Sequence, residues 1–360
     1  MLQHASWPSW ATFFAYVAPS SLLHSSPVLH FRFGLPAAVF CADPQPQDSL
    51  KTGGEGPGRT PGRDRYAAAM RSLLESARRL LAGLLLGVTA LAQQAPVPAP
   101  VPVLATTGGE PAYLLGGWQA GRWLTDAQLA PRLGGAATYR TWTRGQAGGT
   151  VRGERPRSLG EPCEKTLASD LRPAAPRGAL RVYLPAGLRA VPRPVQVLPT
   201  DQPVYAEVLR ADLRRRGIAQ PQVRVTGLTR VDLDGDGTQE VLIEARYFQK
   251  EGLEGSAFSP PPTGQPGDYS LLLVRFVRGG QAVLSTLAGY VGPRQPWDSG
   301  SGEPMPLANL YRLAGVADLN DDGRMEIVTY GAYYEGQSFA VYEWTPAGGA
   351  KLRLETGCGV

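Results

Sequence analysis

Histidine and cysteine are scarce in this chain, with three of each in 360 residues. All three histidines (His4, His24 and His30) and Cys41 lie within the first 41 residues. The long remainder has no histidine, which excludes Ser-His-Asp and Cys-His nucleophile systems there, and any His-ligated zinc. Charge of one sign is also lacking. Setting aside residues 1–92 leaves 28 basic against 26 acidic side chains, so no cationic surplus argues for nucleic acid. The apolar run at residues 80–92 is shorter than the roughly 20 residues a membrane-spanning helix needs.

That run has another explanation. Residues 70–92, "MRSLLESARRLLAGLLLGVTALA", join a basic start (Arg71, Arg78, Arg79) to a short apolar core and a small-x-small exit, Ala90-Leu91-Ala92. This is the pattern of a secretory signal peptide. Residues 1–69, rich in Pro, Ser and Gly, are then expected to be an upstream extension beyond the true start at Met70. The expected mature chain is soluble, secreted or periplasmic, with no membrane span after cleavage. Its two cysteines, Cys163 and Cys358, read as one disulfide. Two unrelated thiols fit an oxidising compartment less well.

Proline alternates with small residues in "QQAPVPAPVPVLA", and residues 93–110 are expected to be a Pro-rich, polyproline-like tether. Residues 111–200 read as a small loop-rich β domain. Within it, "AYLLGGWQAGRWL" suggests two strands around Gln119-Ala120-Gly121. "TDAQLAPRL" suggests a short helix capped by Thr125 or Asp126, and "ATYRTWTRGQAGGTVRG" suggests β structure broken at Gly148-Gly149. Residues 201–360 open with the clearest helix, expected near 203–216. Tyr205, Val208, Leu209 and Leu213 make its apolar stripe, Thr200 or Asp201 its cap, and Gly217 its stop. Arg214, Arg215 and Arg216 suit the negative end of its dipole.

After that helix one pattern comes twice. "VTGLTRVDLDGDGTQEVLIEARYF" (225–248) is echoed by "LAGVADLNDDGRMEIVTYGAYY" (313–334), so that Asp232, Asp234, Asp236, Gly237 and Glu240 align with Asp318, Asn320, Asp322, Gly323 and Glu326. Calcium takes six to eight oxygen ligands. Side chains at positions 1, 3 and 5 of a tight loop can converge, a glycine at position 6 allows the turn, and the carbonyls of Thr238 and Arg324 fall at position 7. An EF-hand closes its ring with a glutamate at position 12. Here position 12 is Ile243 or Thr329, and the acid stands at position 9, immediately before a strand.

This variant resembles the FG-GAP or VCBS repeats of integrin-α-type β-propellers. The resemblance covers residues 225–360 at most. It implies an all-β fold with calcium held between the strands of a blade. The expected ligands are Asp232, Asp234, Asp236, Thr238 and Glu240 for one ion, and Asp318, Asn320, Asp322, Arg324 and Glu326 for a second, weaker one. Only two cages are present, 86 residues apart, and turn-rich insertions at 252–267 and 292–306 lengthen each unit. The expectation is a mainly β protein with two blade-like antiparallel meanders and not a complete propeller.

Three functions are open at this stage. A binding module, for an unidentified protein or glycan of the cell envelope, could use the aromatics of "YGAYYEGQSFAVYEW", although those side chains suit a sheet core better. A purely structural envelope protein needs no such surface. A secreted hydrolase of the glycosidase kind would need a carboxylate pair, for which Glu244, Glu251, Glu254 and Glu335 are candidates by type alone. With no histidine and no free thiol expected, the balance leans away from an enzyme.

Overall fold

The computed structural model describes residues 97–109, 111–250, 262–345 and 349–359. The expected upstream extension, the signal segment, Glu251, Glu254 and most of the 252–267 insertion lie outside the described residues. The described chain is mainly β and forms three antiparallel sheets.

The first sheet has nine strands: β1 (Val101–Thr106), β2 (Ala112–Gln119), β3 (Arg122–Thr125), β4 (Ala137–Thr143), β5 (Gln146–Gly153), β6 (Arg157–Ser158), β7 (Leu167–Ser169), β8 (Leu171–Arg172) and β9 (Arg181–Pro185). Helix α1 (Asp126–Leu129) follows β3. Thr125 accepts from the Gln128 N–H while the Gln128 side chain returns to the Thr125 N–H, a complete capping box.

Two expectations fail in this sheet. Residues 101–106 are not a tether but an interior strand between β2 and β9, with Val103, Leu104 and Ala105 fully buried. Proline is tolerated because Pro102 pairs only with β2, and β9 joins β1 from Leu104 onward. The missing N–H therefore falls where the strand still has an open side. The break expected at Gly148-Gly149 lies instead at Arg144-Gly145, where both residues have positive φ (48° and 79°) and close a two-residue hairpin.

The second sheet is β10 (Gln196–Leu198), β11 (Val225–Val231), β12 (Glu240–Tyr247), β13 (Tyr269–Arg278) and β14 (Gln281–Val291), in sequential order. Helix α2 (Pro203–Arg215) packs on it with Leu209 and Leu213 fully buried. Its N-cap is Gln202, with no side-chain cap, instead of Thr200 or Asp201. It ends as expected at Gly217 (φ 100°). The Ile218 N–H donates to the Leu213 carbonyl and the Gly217 N–H to that of Arg214, which is a Schellman motif. Arg215 and Arg216 do more than face the dipole: both pair with Asp212, at 2.8 and 2.7 Å.

The third sheet, β15 (Leu310–Ala317), β16 (Glu326–Tyr333), β17 (Gly336–Thr345) and β18 (Gly349–Gly359), is again a sequential meander. It lies between the other two sheets. One of its faces joins Val103, Leu115, Val182 and Leu184 of the first sheet through Val328, Tyr330, Phe339 and Val341. The other meets Leu242, Leu272 and Val274 of the second through Ile327 and Trp344. Phe276 stands edge-on to Trp344 across that interface at 4.9 Å. Covering on both sides explains why β15 and β16 read as near-continuous apolar runs without alternation. It also buries some of the aromatics considered for recognition. Tyr330, Phe339 and Trp344 are buried, and Tyr333, Tyr334 and Tyr342 are half-buried.

Cys163 and Cys358 join the first and third sheets, with Cα atoms 5.4 Å apart and a sequence separation of 195. In the chain-entropy model, closing a loop of this length stabilises the fold by up to about 5 kcal/mol. The Cys163→Ser/Cys358→Ser double variant is therefore expected to unfold at a clearly lower denaturant concentration than the parent. An unchanged midpoint would show that the bridge carries no such constraint.

Candidate metal centre

The acidic loops are matching hairpins, between β11 and β12 in the second sheet and between β15 and β16 in the third. Val231 pairs with Glu240 in one and Ala317 with Glu326 in the other. Their internal hydrogen bonds correspond except at one point: the first aspartate accepts from position 4 in one loop and from position 5 in the other. In the first loop, Asp232 accepts from the N–H groups of Gly235 (2.7 Å) and Gly237 (3.2 Å), Asp236 from Thr238 (2.6 Å) and Glu240 from Leu233 (2.9 Å). In the second, Asp318 accepts from Asp322 (3.3 Å) and Gly323 (2.9 Å), Asp322 from Arg324 (2.8 Å) and Glu326 from Leu319 (2.7 Å). The turn depends on left-handed backbone at positions 4 and 6, which are Gly235 and Gly237 in one loop and Asp321 and Gly323 in the other. Only glycine adopts that conformation freely, and aspartate tolerates it better than most residues.

The loops differ in how far their carboxylates converge. Ligand oxygens of Asp232, Asp234 and Glu240 lie within 4.8 Å of one another, and among the described residues no other three acidic, histidine or cysteine side chains do so. Asp236, exposed, lies outside that group. In the second loop the Asn320 amide donates to Asp322 Oδ2 at 3.2 Å, so the residue in place of a third aspartate is spent on its neighbour. Asp318, Asn320 and Glu326 are all buried. Thr238 and Arg324 stand at matching positions, each donating its N–H to the aspartate two residues before it.

The electrostatics of both loops favour a proton or a cation. Burial pushes the Glu240 carboxyl up to about 7, helped by the charges of Asp234 and Asp236, while the Leu233 N–H pulls the other way. Burial pushes Glu326 up to about 8, helped by Asp322, Asp318 and Glu343. Asp318 is raised by the same burial and by Asp322. Glu326 Oε1 is buried and has no hydrogen-bond partner among the described residues. A buried carboxylate oxygen is costly in that state, and a cation would satisfy it. The donors are all oxygen, with no nitrogen or sulfur, which suits a hard ion such as calcium or magnesium.

A residue with no counterpart in the motif joins the two loops. Arg193 donates from Nε to the Asp232 carbonyl (2.7 Å), from Nη2 to that of Leu233 (2.9 Å) and from Nη1 to that of Gly323 (2.5 Å). The Met325 N–H adds a direct bond to the Leu233 carbonyl (2.7 Å). Arg193 stands 39 residues before the loop it grips, between two prolines, and no local spacing marks it.

The hydrolase candidates fare differently. Glu244 is 2% exposed and ion-paired with Arg144, so it is committed to the frame. Glu335 sits half-buried in the β16–β17 turn with φ 48°. Among the described residues no helix is long and apolar enough to cross a membrane. Compared with known proteins, the chain matches no family model, no curated protein and no solved structure.

The raised carboxyls have a consequence for stability. A group whose folded pKa lies above its unfolded value stabilises the fold fully below the unfolded value, and that contribution is lost as pH rises through the folded one. With cations removed by a chelator, the melting temperature is expected to fall between about pH 5 and about pH 9. The double variant Glu240→Gln/Glu326→Gln should flatten that fall. A chelated parent protein whose melting rises over this window would contradict the assignment.

Proposed function

We propose that the chain is an exported calcium-binding protein of the FG-GAP or VCBS kind, in which calcium is structural. Asp232, Asp234 and Glu240 would hold the principal ion, with Asp236 and the Thr238 carbonyl completing the oxygen set. Asp318, Asn320, Asp322, Glu326 and the Arg324 carbonyl would hold a second ion more weakly, because that loop has one carboxylate fewer. The observation that carries this proposal is the convergence of three carboxylates on a hairpin whose bonding pattern recurs in the second meander.

When bound, the ion supplies positive charge where burial has gathered carboxylates. The chain's own residues do the rest: backbone N–H groups orient each acid, and Arg193 holds the two hairpins together. The protein acts as a binding or structural module of the cell envelope or extracellular space, its partner a protein or glycan of that surface.

Extracellular calcium modules commonly bind at about 10⁻⁴–10⁻³ M. At ten times the dissociation constant, each site would stabilise the fold by about 1.4 kcal/mol. Melting is therefore expected to rise by a few degrees with millimolar calcium and to return with chelator. Asp232→Asn should remove more of that rise than Asp318→Asn. A melting temperature indifferent to calcium and chelator alike would remove the basis for the proposal.

A further inference from the structure

Away from the acidic loops, a cleft of about 400 Å³ opens between the first and third sheets. Such a volume lies within the range of small-molecule sites, about 300–1,000 Å³. Three of its lining residues are arginines: Arg144 from the β4–β5 turn, Arg181 from the start of β9 and Arg312 from β15. Thr143 is the other polar residue of the lining, and the rest is apolar.

The three arginines are not equivalent. Arg144 is neutralised by Glu244, whose other oxygen accepts from the Leu313 N–H (3.1 Å). That pair forms a fixed wall, and it needs Gly227, where a Cβ would lie 2.3 Å from the Glu244 carboxylate. Arg181 and Arg312, by contrast, have no carboxylate within 4.0 Å among the described residues. The Nε of Arg312 is buried with no hydrogen-bond acceptor among the described residues. A guanidinium is always charged and presents its donors in a planar fork that matches two oxygens of one group. A cleft with two uncompensated charges and an orphaned, buried N–H is thus short of an anionic acceptor.

We propose that this cleft binds a small molecule bearing a carboxylate or phosphate group, with Arg312 and Arg181 gripping the oxyanion and Arg144 held beside it by Glu244. The site uses none of the residues of the acidic loops, so it stands or falls separately from calcium binding.

Calorimetric titration of the full chain in calcium-free, low-salt buffer tests it with three probes: inorganic phosphate, glucuronate and glucose. Saturable binding of phosphate or glucuronate, without binding of glucose, is expected. The anion that binds better distinguishes a phosphate-bearing from a carboxylate-bearing ligand. Arg181→Gln and Arg312→Gln should each weaken binding by about tenfold or more, as loss of a charge-assisted bond implies. Arg214→Gln, an exposed change on α2, should leave it unaltered. Arg181 lies only half-buried at a strand start, so its variant decides the matter even if Arg312→Gln fails to fold. Absence of saturable anion binding, equal binding of glucose, or affinity untouched by Arg181→Gln would overturn the proposal.

Discussion

The carboxylate of Glu244 touches all three sheets, and the arrangement of the domain depends on it. The residue belongs to β12 of the second sheet. One oxygen pairs with Arg144 on a hairpin of the first sheet, and the other accepts the Leu313 N–H of the third. Alternation along β12 explains its direction. Val241, Ile243 and Ala245 face α2, so Leu242 and Glu244 must face the middle sheet. A buried charge survives there only because it is paired and bonded on both oxygens. Replacing one partner alone would leave the other charge stranded, a loss typically of about 3–5 kcal/mol.

The acidic hairpins follow the same rule with one partner missing. Their carboxylates are held by backbone N–H groups, and in the first loop three of them converge; among the described residues no arginine or lysine pairs with them as closely as Arg144 pairs with Glu244. Arg193 approaches the first loop mainly through carbonyls, and its nearest carboxylate contact is a loose 3.7 Å to Asp232. Burial first, and neighbouring carboxylates second, raise the carboxyls of Glu240 and Glu326. One physical principle thus separates a finished ion pair from a carboxylate cluster that could hold a cation.

Much of this was legible from local pattern. The two D-x-[DN]-x-D-G hairpins, the helix ending at Gly217, the short helix beginning at Thr125 or Asp126 and the Cys163–Cys358 pair all follow from short spacings or from simple counting. What escaped was long-range. Proline suggested a tether at residues 93–110, yet β1 runs through it, because a strand with one open side does not need every N–H. Arg193 and the Arg144–Glu244 pair join residues 39 and 100 positions apart, and no periodicity encodes such meetings. The aromatics near Tyr330 could be weighed for a surface only until the middle sheet was seen to be covered on both faces.

The most direct test of the account is a crystal structure of the protein grown with calcium. The account predicts an ion within about 2.3–2.6 Å of oxygens from Asp232, Asp234 and Glu240, with weaker or partial density in the second hairpin. Water or protein alone bridging those three carboxylates at saturating calcium would contradict it.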